Sequence, residues 1–404
     1  MRILFVAAGP PHPRLRGYQV RAYHQLRILS TRHEITLVYF NGATQFPERK
    51  EQVAAFCEEI ITVPHHLMGM IIGVGGGVFS GRPLQTCLYE TPEVRQLISR
   101  LLHEKRFDLV HVQLARMAGL LDETTSPPRV IDLVDALSLN MQRRRQYDHG
   151  LMRLAALLEA KRLRRYERII CRSWDHATVV SSVDRRAIGD FPNLTVNSSG
   201  VDLDEFPFHG GERDPYSIVF TGNLGYFSNI DSICWFVREI FPRIRREEPR
   251  AKLLIVGDRP PRKVRALARL DPQITVEGPV DRLHPYLMRS RLAIAPMRTG
   301  SGQLFKVLEA MACGTPLIAT SLAINGIDAE SERHVLVGDS PDAFARQALR
   351  LMREPVLARH IASEARRLVE RRYGWQKSVA GLESIYHSTS ERARGLVPKR
   401  LAAL

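Results

Sequence analysis

A lysine and a carboxylate stand one helical turn apart in Lys306-Val-Leu-Glu309, just after the glycine turn Gly300-Ser-Gly302. A cation beside a carboxylate suits a nucleoside diphosphate, with charge for the phosphates and an acceptor for ribose hydroxyls. The surrounding stretch, Arg298 to Pro316, predicts how they are held. Leu292–Ala295 reads as a short buried strand closed by Pro296. Gly300 and Gly302 let the backbone turn tightly, and from Gln303 the pattern is helical. Leu304, Leu308 and Met311 share one face, with Val307 beside them. Gly314 suits a left-handed stop and Pro316 prevents continuation. Lys306 and Glu309 then fall on the more open face, just inside a helix N-terminus whose N–H groups and dipole favour phosphate. The competing reading makes them an ordinary surface pair on a core helix.

Other candidates follow from position. Gly17, in a proline- and arginine-rich loop, leads into a helix and is a second place where backbone could approach a phosphate, or simply a turn. His111, Gln113, Asp135 and Ser138 fall at or just beyond the ends of strand-like runs, where open parallel sheets bind ligands. Each has a structural alternative, as a hydrogen-bonded core histidine or a helix-capping Asp or Ser.

The elements that must position these groups alternate between strand and helix. Ile3–Ala7, Glu34–Tyr39, Ile60–Val63, Leu109–Val112, Val130–Val134 and Ala177–Ser181 read as strands, with helices predicted over Tyr18–Ser30, Glu48–Cys57 and Pro92–Lys105. Met68–Pro92 is irregular and glycine-rich. After the turn-rich stretch Phe206–Tyr216 the rhythm restarts with strand Ile218–Thr221 and helix Ile230–Arg246. Strands at Lys252–Val256, Ile274–Glu277, Leu317–Thr320 and Val335–Val337 follow, then a helical region over Pro341–Arg372 and a last helix from Gln376. The expectation is α/β: two doubly wound Rossmann-like domains with a cleft between them. A domain over 1–206, a second over 207–375 and a crossover helix with tail over 376–404 are the expected divisions.

Composition narrows the function. The chain has 404 residues, 44% apolar and 25% charged, which excludes a disordered chain. A formal net charge of +15 favours anionic partners. Five scattered cysteines (Cys57, Cys87, Cys171, Cys234, Cys313) lack metal-ligand spacing and suit a reducing, cytoplasmic setting. No uninterrupted apolar run reaches the roughly 18 residues of a spanning helix. No recognition motif or aromatic-interleaved basic stretch points to nucleic acid. From Met141 to Arg172 runs a basic helical segment with the apolar stripe Leu151, Leu154 and Leu158. One reading is contact with an anionic membrane surface, which would make the protein peripheral on the inner face of the cytoplasmic membrane. The other is a solvated helix packed by its leucines.

Residues 197–387 resemble the family-4 retaining (group 1) glycosyltransferases, which have the GT-B fold. The features occur in order: Asn197…Gly200-Val-Asp202…Phe206, Phe220-Thr-Gly222-Asn-Leu224, Leu254-Ile-Val-Gly-Asp258 and Val276-Glu-Gly278. Pro296…Gly300-Ser-Gly302, Lys306-Val-Leu-Glu-Ala-Met-Ala312, Gly314-Thr-Pro316 and Tyr373-Gly-Trp375 continue them. Over 1–196 the likeness is looser, and the nearest similarity is to exopolysaccharide-type sugar transferases. The resemblance implies a nucleotide-diphosphate sugar donor, a saccharide or lipid-linked saccharide acceptor, transfer with retention, and neither metal nor cofactor. It implies that Glu309 binds ribose, that the Gly300–Gly302 turn and helix amides hold the diphosphate, and that Lys306 and His111 join Glu309 in catalysis. Gly17, Gly222, Asn223, Arg298, Ser301, Leu304 and Val307 complete the expected donor site. Three departures stand out. Ser301 takes the place of the first of two glutamates, Asn223 and Asn229 stand where an Arg and a Lys are common, and Gln113 occupies one of two positions for a strand-end histidine. Lys306 must then supply the phosphate charge, with Arg298 as a second cation. Alternatives are another GT-B enzyme such as a nucleotide-sugar epimerase, or a catalytically weakened GT-B binding subunit.

Overall fold

The structure, a computed structural model, describes residues 1–41, 53–64, 82–86, 89–121, 127–145 and 150–395. The helix expected at Glu48–Cys57 and the glycine-rich Met68–Pro92 stretch lie largely outside them. The chain divides into two compact units, one of Met1–Ser198 with Ser378–Leu404, the other of Ser199–Lys377.

The first unit is built on a sheet of seven strands, β1 (Arg2–Ala7), β2 (Glu34–Asn41), β3 (Glu59–Pro64), β4 (Leu109–Gln113), β5 (Arg129–Val134), β6 (His176–Val179) and β7 (Leu194–Val196). Their order is β3-β2-β1-β4-β5-β6-β7 and the pairings are parallel. Parallel strands covered on both faces read as unbroken apolar runs, and Ile3 to Ala7 are at most 1% exposed. Residues from the final helix (Trp375–Ala393) complete one face, where Val379, Leu382 and Tyr386 pack with Ile3, Phe5 and Leu26. Beneath the sheet ends, Arg21 and Asp132 form a fully buried ion pair at 2.5 Å. Gln25 and Thr178 also donate to Asp132, and Arg21 donates to the Asn197 carbonyl.

The second unit carries a sheet of six strands, β8 (Asp214–Thr221), β9 (Lys252–Val256), β10 (Ile274–Glu277), β11 (Ser290–Ala295), β12 (Leu317–Ala319) and β13 (Leu336–Val337). The order β10-β9-β8-β11-β12-β13 repeats the first unit's pattern, with the strand order reversing between β8 and β11. Open sheets of this kind bind ligands at that switch point, beyond the carboxyl ends of the strands. Gly200 is fixed by its surroundings, since a side chain there would meet the Trp375 backbone nitrogen at 2.5 Å.

Several boundaries differ from expectation. The helical region Pro341–Arg372 is two helices, Pro341–Arg353 and Pro355–Arg372, because Pro355 has no N–H to continue the first. The helix expected at Ile230–Arg246 begins at Phe227, and its middle widens into a π turn over Phe236–Ile240. Phe241 donates to the Phe236 carbonyl there, just before Pro242, which cannot donate at all. Within the basic segment the described residues form helices over Leu137–Arg144 and Gly150–Ser173. Among the described residues no helix is long and apolar enough to cross a membrane.

Candidate functional site

At the switch point of the second unit, β8 ends in Phe220-Thr221 and turns at Gly222 (φ 155°) into Asn223. Its neighbour β11 leads through Pro296 to Gly300 (φ 124°) and Gly302 (φ 71°). These are backbone conformations that side chains with a Cβ rarely adopt, as the glycine turn required. The helix Phe305–Ala312 follows, and Leu304 at its start offers no side-chain cap. The Leu304 carbonyl accepts from the Val307 and Leu308 amides, and no side chain caps the amides ahead of them. Gly314 takes φ 63°, the left-handed stop expected after it.

The main correction concerns Lys306. It is buried rather than on an open face, and its Nζ lies in a pocket made by the facing turn. Nζ donates to Asn229 Oδ1 at 2.8 Å and sits 4.0 Å from the centre of the Phe220 ring. Asn229 is oriented in turn by donating to the Asn223 carbonyl at 2.8 Å. A Cβ on Gly222 would come within 2.8 Å of the same Nζ, so glycine there leaves room for the ammonium. The surface ion-pair reading fails on this geometry, because the lysine's polar partner is an amide oxygen on another helix. Burial pulls the Lys306 pKa down to about 7, with the nearby Glu309 charge opposing it. Burial pushes Glu309 up to about 7, helped by Glu205 and opposed by Lys306. The pocket thus holds a poorly solvated cation and a partly buried carboxyl whose charges are not satisfied by direct pairing.

Arg298 does not act as a loose second cation. Its guanidinium meets Asp231 at 3.0 and 2.6 Å through two nitrogens and lies over the Trp235 ring at 5.3 Å. Ser301 and Leu304 are partly buried along the turn, whereas Val307 is wholly within the core and presents no side chain to a ligand. Gln303 is structural, accepting from the Ser199 amide at 2.7 Å and donating to the Gly326 carbonyl at 2.9 Å.

In the first unit, Gly17 is the exposed opening residue of the helix Gly17–Leu29. His111 faces the core. It is fully buried, stacked on Phe5 at 4.3 Å, with Nδ1 2.8 Å from the Tyr386 hydroxyl. Burial lowers its pKa to about 4, so it is neutral, and the catalytic role expected of it has no support in this geometry. Gln113 is also buried and donates to the Tyr18 carbonyl. Ser138 donates to Glu167 through backbone and hydroxyl.

Sequence reasoning quoted Phe220 only within a motif and gave it no role, and it missed Glu205 and the buried Thr299, whose hydroxyl has no hydrogen-bond partner among the described residues. It noticed Asn229 only as a departure from the family pattern. Exposed Tyr226 and Phe227 flank the Asn223 turn and were also passed over. Its place directly before the Gly300–Gly302 turn was the available signal for Thr299.

Residues 215–354 match the family model for group 1 glycosyl transferases. An uncharacterized 44.6 kDa protein in the cps region of Klebsiella pneumoniae is 19% identical over 396 residues, covering 93% of this chain and 97% of that one. Among solved structures, sucrose-phosphate synthase from Thermosynechococcus elongatus aligns with a TM-score of 0.67 at 15% identity, over 96% of this chain and 99% of that chain. HepE from Anabaena, solved in complex with UDP and glucose, gives 0.67 at 14% identity, over 96% of this chain and all (100%) of its own. The two doubly wound units are those of the GT-B fold, and residues 215–354 form a group 1 glycosyltransferase domain.

Proposed function

We propose that this glycosyltransferase takes a sugar from a nucleotide-diphosphate donor seated in its second unit. The sugar passes to a hydroxyl of a saccharide or lipid-linked saccharide, with retention and without a metal ion. The observation that carries the reading is the buried Lys306 ammonium, held by Asn229 and Phe220 beside the Gly300–Gly302 turn and the uncapped helix start. A diphosphate brought there receives one charge-assisted donor from Lys306 and backbone donors from the helix. Glu309, three residues on, is the acceptor we assign to the ribose hydroxyls. The chemistry asked of the protein is electrostatic. Negative charge grows on the leaving diphosphate as the glycosidic bond breaks, and preorganised donors stabilise it more than they stabilise the ground state. With Arg298 tied to Asp231, Lys306 carries most of that work.

HepE, named as bound to UDP and glucose, supports a nucleotide-sugar donor, and the relative named for a cps region supports polysaccharide biosynthesis. A lipid-linked acceptor would place the protein in the cytoplasm, at the inner face of the membrane. A screen of nucleotide sugars by thermal stabilisation identifies the donor, and proton NMR of the product reports the anomeric configuration. The expected product keeps the donor's configuration and forms equally in the presence of a chelator. An inverted product removes retention, and an epimerised donor favours the epimerase alternative. A second reading, a weakened binding subunit, draws on Ser301 in the turn and on the pairing of Arg298. Donor binding without turnover across an acceptor panel would decide for it.

A further inference from the structure

The long helix Gly150–Ser173 of the first unit carries an outer face that packing does not explain. Leu154 is 54% exposed, Leu158 50% and Ile169 42%, bare large apolar side chains on one side of a single helix. Leu163 and Ile170, by contrast, fill the core. The expectation that the leucines pack inward therefore fails at Leu154 and Leu158, while the side chain of Leu151 lies outside the described residues.

Leu154, Leu158, Lys161, Arg165, Ile169 and Arg172 succeed one another at spacings of three and four and are exposed, so they share one face. Both carboxylates of the helix turn away from it. Glu159 is buried and accepts from the Leu84 and Gln85 amides, and Glu167 is buried and accepts from Ser138. The face is thus apolar toward its start and cationic toward its end, with no acid of its own helix to neutralise it.

We propose that this face is a docking surface for an anionic lipid bilayer. It deepens the proposed function, resting on it only for the lipid-linked acceptor that such a surface would bring within reach. A helix with apolar side chains and lysine or arginine on one face lies in the plane of the interface. The apolar groups enter the acyl boundary and the cations reach the lipid phosphates. Leu154 and Leu158 supply the first contact; Lys161 and Arg165 supply the second, while Arg172 lies over the Phe191 ring at 5.9 Å. A protein partner with an acidic surface would match the cations but not the bare leucines beside them, so the bilayer fits the whole face better. The net charge of +15 adds attraction at longer range.

The test is vesicle flotation of the full chain with phosphatidylcholine alone and with phosphatidylcholine containing phosphatidylglycerol. The wild type should float with the anionic vesicles and stay down with the neutral ones. Leu154→Asp with Leu158→Asp should cut binding about tenfold or more, and Lys161→Glu with Arg165→Glu should do the same. Donor binding measured on the same variants should be unchanged, and their melting temperatures should match the wild type's. Negligible flotation with both vesicles, equal flotation with both, or unchanged binding in both double variants would overturn the proposal. So would a wild-type dimer that the leucine variants dissociate, since the face would then be a subunit contact. A chain that floats as expected yet binds no nucleotide sugar would sink the donor reading instead.

Discussion

Lys306 is the residue on which charge, burial and geometry converge. In the unfolded chain it titrates near its ordinary 10.5, and in the fold near 7, so between those values the unfolded chain holds more protons. The cost of burying the ammonium therefore fades as pH rises through that window. Glu309 runs the other way. Its folded pKa stands at about 7 against an ordinary 4.5, so the fold holds the extra proton and its contribution is lost as pH rises through that lower window. A bound diphosphate favours the ammonium, so binding should take up a proton above about pH 7 and weaken as the solution becomes more alkaline. Calorimetry in buffers of different ionisation enthalpy reads that uptake directly, and Lys306→Met should abolish it. Release of protons, or none, would contradict the charge state assigned to the pocket. None of this was legible locally. Asn229, which holds the lysine, lies 77 residues upstream, and the Asp231 that claims Arg298 lies 67 residues before it. Sequence pattern placed Lys306 and Glu309 on one turn correctly, but it could not say which direction was inward.

Elements were easier to read than contacts, because strand and helix announce themselves over several residues. The alternation of apolar runs gave the central strands of both sheets within a residue or two, except that β8 begins at Asp214, four residues before the expected Ile218. The short edge strand β7 escaped, since Leu194-Thr195-Val196 is too brief to show a period. The turn glycines were legible because their φ values leave little choice. Gly222→Ala should then be informative: its Cβ would stand 2.8 Å from Lys306 Nζ and strain the turn at φ 155°. We expect nucleotide affinity to fall about tenfold, or some 1.4 kcal/mol, with little change in the first unit. Unchanged affinity would show that the ammonium need not occupy this pocket. In the first unit the buried Arg21–Asp132 pair deserves the opposite expectation, a loss of stability without a loss of donor binding. Asp132→Ala leaves the buried Arg21 guanidinium without its carboxylate and should cost about 3–5 kcal/mol in the unit's unfolding transition. A shift below about 1 kcal/mol would mean that solvent reaches the site.

At the scale of the whole molecule, chain connectivity is the main structural consequence. The chain leaves the first unit after Ser198 and re-enters it at Ser378, whose hydroxyl donates to the Ser198 carbonyl at 2.6 Å. Val379, Leu382 and Tyr386 are fully buried in that unit, so its core is completed by residues far away in sequence. Truncation after Lys377 should expose residues 1–198 to limited proteolysis while fragments of 199–377 persist. Equal resistance of both regions would contradict the assignment of the last helix to the first core. The central claim, however, is that the Lys306 pocket seats a nucleoside diphosphate. Its most direct test is calorimetric titration of UDP and GDP into the wild type and into Lys306→Met. A loss of at least tenfold in affinity for whichever nucleotide the wild type binds is the expected result. Equal affinity in the two proteins would contradict it.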